Sequence, residues 1–291
     1  MNAFEFAQKI GSFNEPGVYL LGVPYDGGCE VGRGARFAPS ALRLYSKVNE
    51  TFSIQQNLCL SDISSIFDLG DIKAAASLND ADAYLEIKKN FCNLTQNFAP
   101  ESHCLITLGG DHSIAINPLS LYKSHFNKLN ILHLDAHTDC IDDYMGKPHS
   151  NATVFRHVSK ELNEDQHIYQ YGIRAALKDE YNYVKNHPQI HIVESLADLE
   201  AMISSNNDPW YLSIDVDFFD PAFVPGTGCP VPGGQDYNTF LKIIEFFSLG
   251  QIVGADITEL SPPLDKSSIS TVFVGTLLKE LVIKLANKGF K

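Results

Sequence analysis

Three short segments crowd acidic and imidazole side chains together. They are Gly109-Gly110-Asp111-His112-Ser113, Asp135-Ala136-His137-Thr138-Asp139 and Asp215-Val216-Asp217. In an extended chain, residues i, i+2 and i+4 point to one side. That spacing draws Asp135, His137 and Asp139 together, and Asp215 with Asp217. Four carboxylates and an imidazole aimed into one crevice repel each other unless cations neutralise them. His112 completes a set of six oxygen and nitrogen donors. Two divalent metal ions would balance the carboxylates, and a bridging hydroxide would leave a negative cluster suited to a cationic substrate. Carboxylate-rich donors with few imidazoles suit manganese before zinc, with cobalt and nickel as alternatives. Metals about 3.5–4 Å apart lower the pKa of a shared water and make a nucleophile near neutral pH.

Each segment alone is a weak signal, because DxD and DxH are common and a lone histidine usually packs or faces solvent. Their positions strengthen them. Each follows or ends an apolar run: Cys104–Leu108, Asn130–Leu134 or Trp210–Val216. Further runs are Val18–Val23, Ile168–Ile173, Ile190–Val193 and Gln251–Ile257. Continuous runs rich in β-branched residues suit strands buried on both faces, as in a parallel sheet. Helical spacing lies between them, over Asp80–Phe98, Tyr237–Phe247 and Thr271–Ala286. The alternation predicts an α/β layered fold with a mainly parallel sheet, in one domain over residues 1–291. Ligands of such sheets bind outside the carboxyl ends of the strands.

Composition narrows the function. The 291 residues carry a formal net charge of −13, which argues against nucleic acid or an anionic membrane as partner. No signal peptide is visible at the N-terminus and no apolar stretch approaches membrane-span length, so a cytoplasmic protein is expected. The six cysteines are scattered, with no CxxC pair, and read as reduced thiols. His133 sits inside an apolar run and is expected to be a packed core residue or a partner of Asp135.

Together with Gly22-Val23-Pro24-Tyr25-Asp26-Gly27-Gly28 and Glu259-Leu260-Ser261-Pro262-Pro263, the motifs GGDHS, DAHTD and SIDVDFFDP resemble those of the ureohydrolase family of arginases and agmatinases. The resemblance implies a three-layer α/β/α sandwich around a mainly parallel sheet. It also implies manganese-dependent hydrolysis of a guanidino compound to urea and an amine, with two Mn2+ ions per chain. Asp135 and Asp215 would bridge the metals. His112 and Asp139 would complete one set of protein ligands, and His137 and Asp217 the other. His149, in the loop after DAHTD, corresponds to a proton-shuttling histidine, and Glu259 to the acid that holds the guanidinium. Gly32 to Pro39 would form a loop lining the site and leading to a helix. A trimer or hexamer is the usual assembly of the family.

Agmatinases are the nearer match. The loop Cys140 to Pro148 lacks Asn and Ser, and its Asp142 and Asp143 would disfavour a substrate carboxylate. Agmatine, cleaved to putrescine and urea as in polyamine biosynthesis, is the expected substrate. Cys229 and Val231 depart from the agmatinase pattern PGTGTPEPGG, which keeps arginine, guanidinobutyrate, guanidinopropionate and formimino substrates open. A non-catalytic, metal-stabilised binding protein is the alternative from another class.

Overall fold

Apolar runs flanked by glycine and acidic residues become strands because both faces of each strand can be covered by helices. The computed structural model describes residues 3–29, 31–75 and 77–290. In chain order the first elements are β1 (Gln8–Lys9), β2 (Gly17–Gly22), α1 (Ala38–Tyr45), β3 (Phe52–Ser53), β4 (Leu58–Cys59), β5 (Ile66–Asp71), α2 (Asp80–Leu94), β6 (His103–Leu108) and α3 (Ile116–His125). They are followed by β7 (Leu129–Leu134), α4 (Val154–Ser159), β8 (Gln166–Tyr171), α5 (Lys178–Asn186) and β9 (Ile190–Val193). The last are α6 (Leu196–Ser204), β10 (Trp210–Asp215), α7 (Tyr237–Phe246), β11 (Ile252–Thr258) and α8 (Ile269–Ala286).

Nine strands form one sheet in the order β1-β5-β2-β6-β11-β10-β7-β8-β9, and every pairing in it is parallel. β3 and β4 make a small antiparallel pair apart from it. Side chains alternate between two cores. Val18, Leu20, Cys104, Ile106, Leu132 and Leu134 face one, where α8, α7 and α6 supply residues such as Leu281, Phe240 and Leu199. Tyr19, Leu21, Leu105, Leu129 and Ile131 face the other, with Ile87 of α2, Tyr122 of α3 and Phe155 of α4. The result is the three-layer α/β/α sandwich expected from the sequence. Among the described residues no helix is long and apolar enough to cross a membrane.

The strand and helix expectations match within a few residues. Three differences have physical causes. β5 reads IFDLGD, and its two aspartates hid a strand whose carboxylates both pair with Arg43 of α1. The stripe over Asp80–Phe98 ends as α-helix at Leu94 and tightens into a 3-10 turn over Thr95–Asn97. Helix α5, KDEYNYVKN, buries only Glu180 and Val184 and carries too little apolar periodicity to be read.

Candidate metal centre

β6, β11, β10 and β7 are consecutive in the sheet and parallel, so their carboxyl ends share one edge. Each chain leaves that edge carrying acidic or imidazole groups. His112 follows β6, Asp135 to Asp139 follow β7, Asp215 closes β10, and Glu259 follows β11.

The local turns differ from the extended geometry expected. Asp215 caps a 3-10 turn over Val216–Phe218, its Oδ1 accepting from the Asp217 N–H at 2.8 Å. His112 opens a 3-10 helix capped by Asp111, whose side chain accepts from Ser113 N at 3.0 Å. After β7 the chain is irregular, and Asp139 has φ +50°. Glu259 has φ +64°. Left-handed backbone at a non-glycine residue costs energy and persists where surrounding contacts impose it. The i, i+2 spacing therefore converges through tight turns, not through strand alternation. Gly110 explains part of the packing: a Cβ there would lie 1.9 Å from the carbonyl oxygen of Tyr25.

All six expected metal ligands come together. His112 Nδ1 lies 3.2 Å from Asp135 Oδ2, 3.0 Å from Asp139 Oδ2 and 3.4 Å from Asp215 Oδ2. His137 Nδ1 lies 2.9 Å from Asp217 Oδ2 and 3.5 Å from Asp135 Oδ1. Backbone amides aim the acids: Ala136 N donates to Asp217 Oδ1 at 3.0 Å, and His137 N to Asp135 Oδ1 at 2.6 Å. Asp135, Asp139, Asp215 and Asp217 are each 6% exposed or less.

The charges do not balance by themselves. Burial and the nearby Asp135 carboxylate push Asp139 and Asp217 up to about 7. Burial, Asp217 and Asp135 push Asp215 well above the carboxylate range. Burial acts the same way on Asp135, but the imidazoles around it, His133 first, hold it well below that range. Burial would lower His137, yet contacts with Asp135 and Asp217 push it up to about 12. Protons are thus drawn onto groups that would serve as ligands, the signature of a site short of positive charge.

The donor set fits divalent ions. His112 Nδ1 is buried and lacks a hydrogen-bond partner. Its other nitrogen, Nε2, sits 3.0 Å from Ser213 Oγ, and that hydroxyl donates to Asp256 Oδ1 at 2.9 Å. A hydroxyl that spends its proton on Asp256 accepts from Nε2–H, which leaves the Nδ1 lone pair aimed at the carboxylates. Donor atoms of His112, His133, Asp135 and Asp139 lie within 4.8 Å of one another, as do those of Asp135, His137 and Asp217.

A cavity of about 370 Å³ opens onto the cluster, with His137, Asp139, Asp215, Asp217 and Glu259 on its wall. Glu259 is held in place: Oε1 accepts from His112 N at 2.8 Å, and the Cys29 thiol approaches Oε2 at 3.6 Å. His149 is not among the residues lining this cavity. Its ring stacks on Tyr84 at 4.6 Å, and its Nδ1 is buried without a partner.

A family model described as the arginase family matches residues 16–283. The chain belongs to the arginase family. Family membership implies a binuclear divalent metal centre, and the acid and imidazole cluster is where this arginase-family chain can hold one. It is similar to an agmatinase of Neisseria meningitidis serogroup C, 32% identical over 90% of this chain and 85% of that protein. A proclavaminate amidinohydrolase of Streptomyces clavuligerus is 30% identical over 92% and 88% of the two chains. A solved structure of proclavaminate amidinohydrolase from that organism superimposes with a TM-score of 0.85, at 27% identity, covering 99% of this chain and 98% of that one.

Several functional groups escaped the sequence reading. Ser213 and Asp256 orient His112 from neighbouring strands. Asp111 Oδ2 accepts from Gly28 N at 2.7 Å and so fixes the loop that carries Cys29. Glu180 ties α5 to the DAHTD loop, accepting from the Thr138 hydroxyl and from Cys140 N at 3.2 Å. Nothing in local spacing marks these partners. His133, expected as core or as a partner of Asp135, is both: it stacks on Phe155 and bonds Asp135 Oδ2 at 2.7 Å. The acidic loop differs from expectation. Asp142 pairs with Arg156 and Lys160, and Asp143 accepts from Gly146 N at 2.7 Å. Neither lines the cavity, and nor does Val231, whose carbonyl accepts from Arg174 Nη2 at 2.8 Å; Cys229 does.

Proposed function

We propose that the chain hydrolyses a guanidino compound to urea and an amine, with agmatine as the lead substrate. The observation that carries this reading is the meeting of four carboxylates and two imidazole Nδ1 atoms beside the pinned carboxylate of Glu259, with His137, Asp139, Asp215, Asp217 and Glu259 on the cavity wall. Relatives named agmatinase, at about a third identity over most of the chain, support the choice of lead substrate.

His112, Asp135, Asp139 and Asp215 would hold one manganese ion, and Asp135, His137, Asp215 and Asp217 a second. When bound, such a pair supplies Lewis acidity and makes water a competent nucleophile near neutral pH. The chain's own groups do the rest. Glu259 offers a carboxylate to a planar cation that can donate two parallel hydrogen bonds, which fixes the guanidinium carbon over the cluster. The His112 amide and the Cys29 thiol keep that carboxylate from turning away.

The departing amine needs a proton, and His149 is our choice of donor. Asn151 and Ala152, two and three residues further on, line the cavity. The ring stacks on Tyr84, and its Nδ1 has no hydrogen-bond partner to give up.

The test is urea release by manganese-loaded protein from agmatine, arginine, 4-guanidinobutyrate and 3-guanidinopropionate. Urea from none of them overturns the reading. Glu259→Gln should lower kcat/KM by roughly 100-fold or more, because a carboxamide cannot accept both hydrogen bonds of a guanidinium. His149→Asn should lower kcat and flatten its pH profile while leaving KM close to that of the parent.

A further inference from the structure

The cavity has two unlike ends. Its inner wall holds the carboxylates and His137. The rest of its lining is mainly apolar, with Val31, Ile141, Ala175, Ala176 and Leu177, beside the polar side chains of Tyr144 and Asn151. Val31 is 62% exposed and Leu177 60% exposed, so neither side chain is spent on the protein core. Leu177 stands at the N-terminus of α5, a position where Ser, Thr, Asp or Asn is the usual choice, and it supplies no capping oxygen.

Charge is scarce on that part of the lining. Among the described lining residues away from the metal cluster and Glu259, the one ionisable carboxylate or cationic group is Glu180. Its oxygens are already committed. Oε1 accepts from the Thr138 hydroxyl and Cys140 N, and Oε2 accepts from Leu177 N at 2.9 Å. The nearby acids Asp142 and Asp143 are engaged elsewhere, as described above.

Resting on the guanidino reading above, we propose that the cavity mouth recognises the substrate tail mainly by apolar contact, so that a terminal ammonium adds little and a terminal carboxylate is disfavoured. The substrate class is a guanidine on a linear hydrocarbon chain that carries no carboxylate, agmatine included. Leu177, Val31 and Ile141 are the selecting residues. A methylene buried against such a wall strengthens binding roughly fourfold. A carboxylate brought there meets no cation among the described lining residues and loses part of its water.

The decisive comparison is agmatine against pentylguanidine, in which a methyl group replaces the terminal ammonium. Binding to manganese-loaded protein is measured by calorimetry, and urea release by kcat/KM. Pentylguanidine should bind and react at least as well as agmatine. Arginine and 4-guanidinobutyrate should fall roughly 100-fold below it. Leu177→Asp places a carboxylate at the mouth and suits the helix N-terminus, so the fold is kept. It should raise the agmatine-to-pentylguanidine ratio about tenfold.

Agmatine binding tenfold tighter than pentylguanidine would overturn the proposal, as would arginine matching either, or no binding by any of them. An unchanged ratio in the Leu177 variant would remove that residue from the contact and overturn its assignment. Binding in the expected order with no urea would leave the apolar mouth standing and overturn the hydrolytic reading instead.

Discussion

Two buried acidic clusters in this chain are built in opposite ways. In the first, Asp68 and Asp71 of β5 face Arg43 of α1. Arg43 Nε and Nη2 donate to the two oxygens of Asp68 at 2.8 and 2.9 Å, and Nη1 donates to Asp71 at 2.5 Å. Phe4 N and Gly70 N add two more donors to Asp68. Burial would raise Asp68, but the guanidinium outweighs it and holds the carboxyl below its usual range. In the second cluster Asp139, Asp215 and Asp217 are pushed up, and no Lys or Arg side chain forms an ion pair with them among the described residues. Equal burial thus gives opposite electrostatics. The β5 cluster carries its own cation and is a structural joint. The cluster across β6, β11, β10 and β7 leaves its positive charge to come from outside.

The largest expected effect separates activity from stability. Asp217→Asn keeps the shape and the bond from Ala136 N to its oxygen but removes a carboxylate proposed to hold metal. Urea release should fall roughly 1000-fold, measured as kcat/KM at saturating manganese. Stability of the metal-free protein should hold or rise, since one repelling carboxylate is gone. A marked loss of metal-free stability would mean that the second cluster is a structural joint like the first.

Arg43→Met should do the reverse. It leaves Asp68 and Asp71 buried without their cation, which costs about 3–5 kcal/mol in denaturant unfolding. Whatever variant remains folded should keep its manganese affinity. A fall in that affinity would show the two clusters to be coupled.

A smaller effect is expected at Ser213. Ser213→Ala takes away the group that accepts from His112 Nε2 and donates to Asp256. Losing such a supporting contact weakens metal binding roughly 10–100-fold. Manganese titration followed by thermal unfolding measures it, because metal bound to the folded state raises the midpoint. Equal affinities in parent and variant would remove Ser213 from the orienting chain.

How legible each cluster is in the sequence follows from its construction. The second cluster can be read because its acids sit just past apolar strands and repeat at short spacing. Its four central strands, buried along their whole length, show as mainly apolar runs broken by single polar residues such as His133, Ser213 and Asp256. The geometry of the turns cannot be read so. Whether Asp215 to Asp217 stays extended or closes a 3-10 turn depends on a side-chain cap that spacing leaves open. The first cluster is invisible for a related reason. Asp68 and Asp71 are 25 and 28 residues from Arg43, and the pairing exists only once α1 lies against β5. Ser213 with Asp256, and Glu259 with Cys29, depend in the same way on sheet order.

The finest test uses pH to ask whether Arg43 acts through charge or through packing. In the parent, the folded-state pKa of Asp68 lies below its ordinary value of 3.8. Its stabilising contribution is therefore complete above that value and is lost as pH falls through the folded pKa. In Arg43→Met the guanidinium is gone and burial acts unopposed, so the same carboxyl is raised. Its protonation then favours the folded state at low pH, and that benefit is lost as pH rises. Acids elsewhere in the chain titrate alike in both proteins and cancel in the difference. The stability gap between parent and variant should thus be widest near pH 7 and narrow steadily below about pH 5. A gap constant from pH 7 to pH 3 would assign Arg43's contribution to its buried hydrocarbon stem, and the contrast between the two clusters would lose its electrostatic basis.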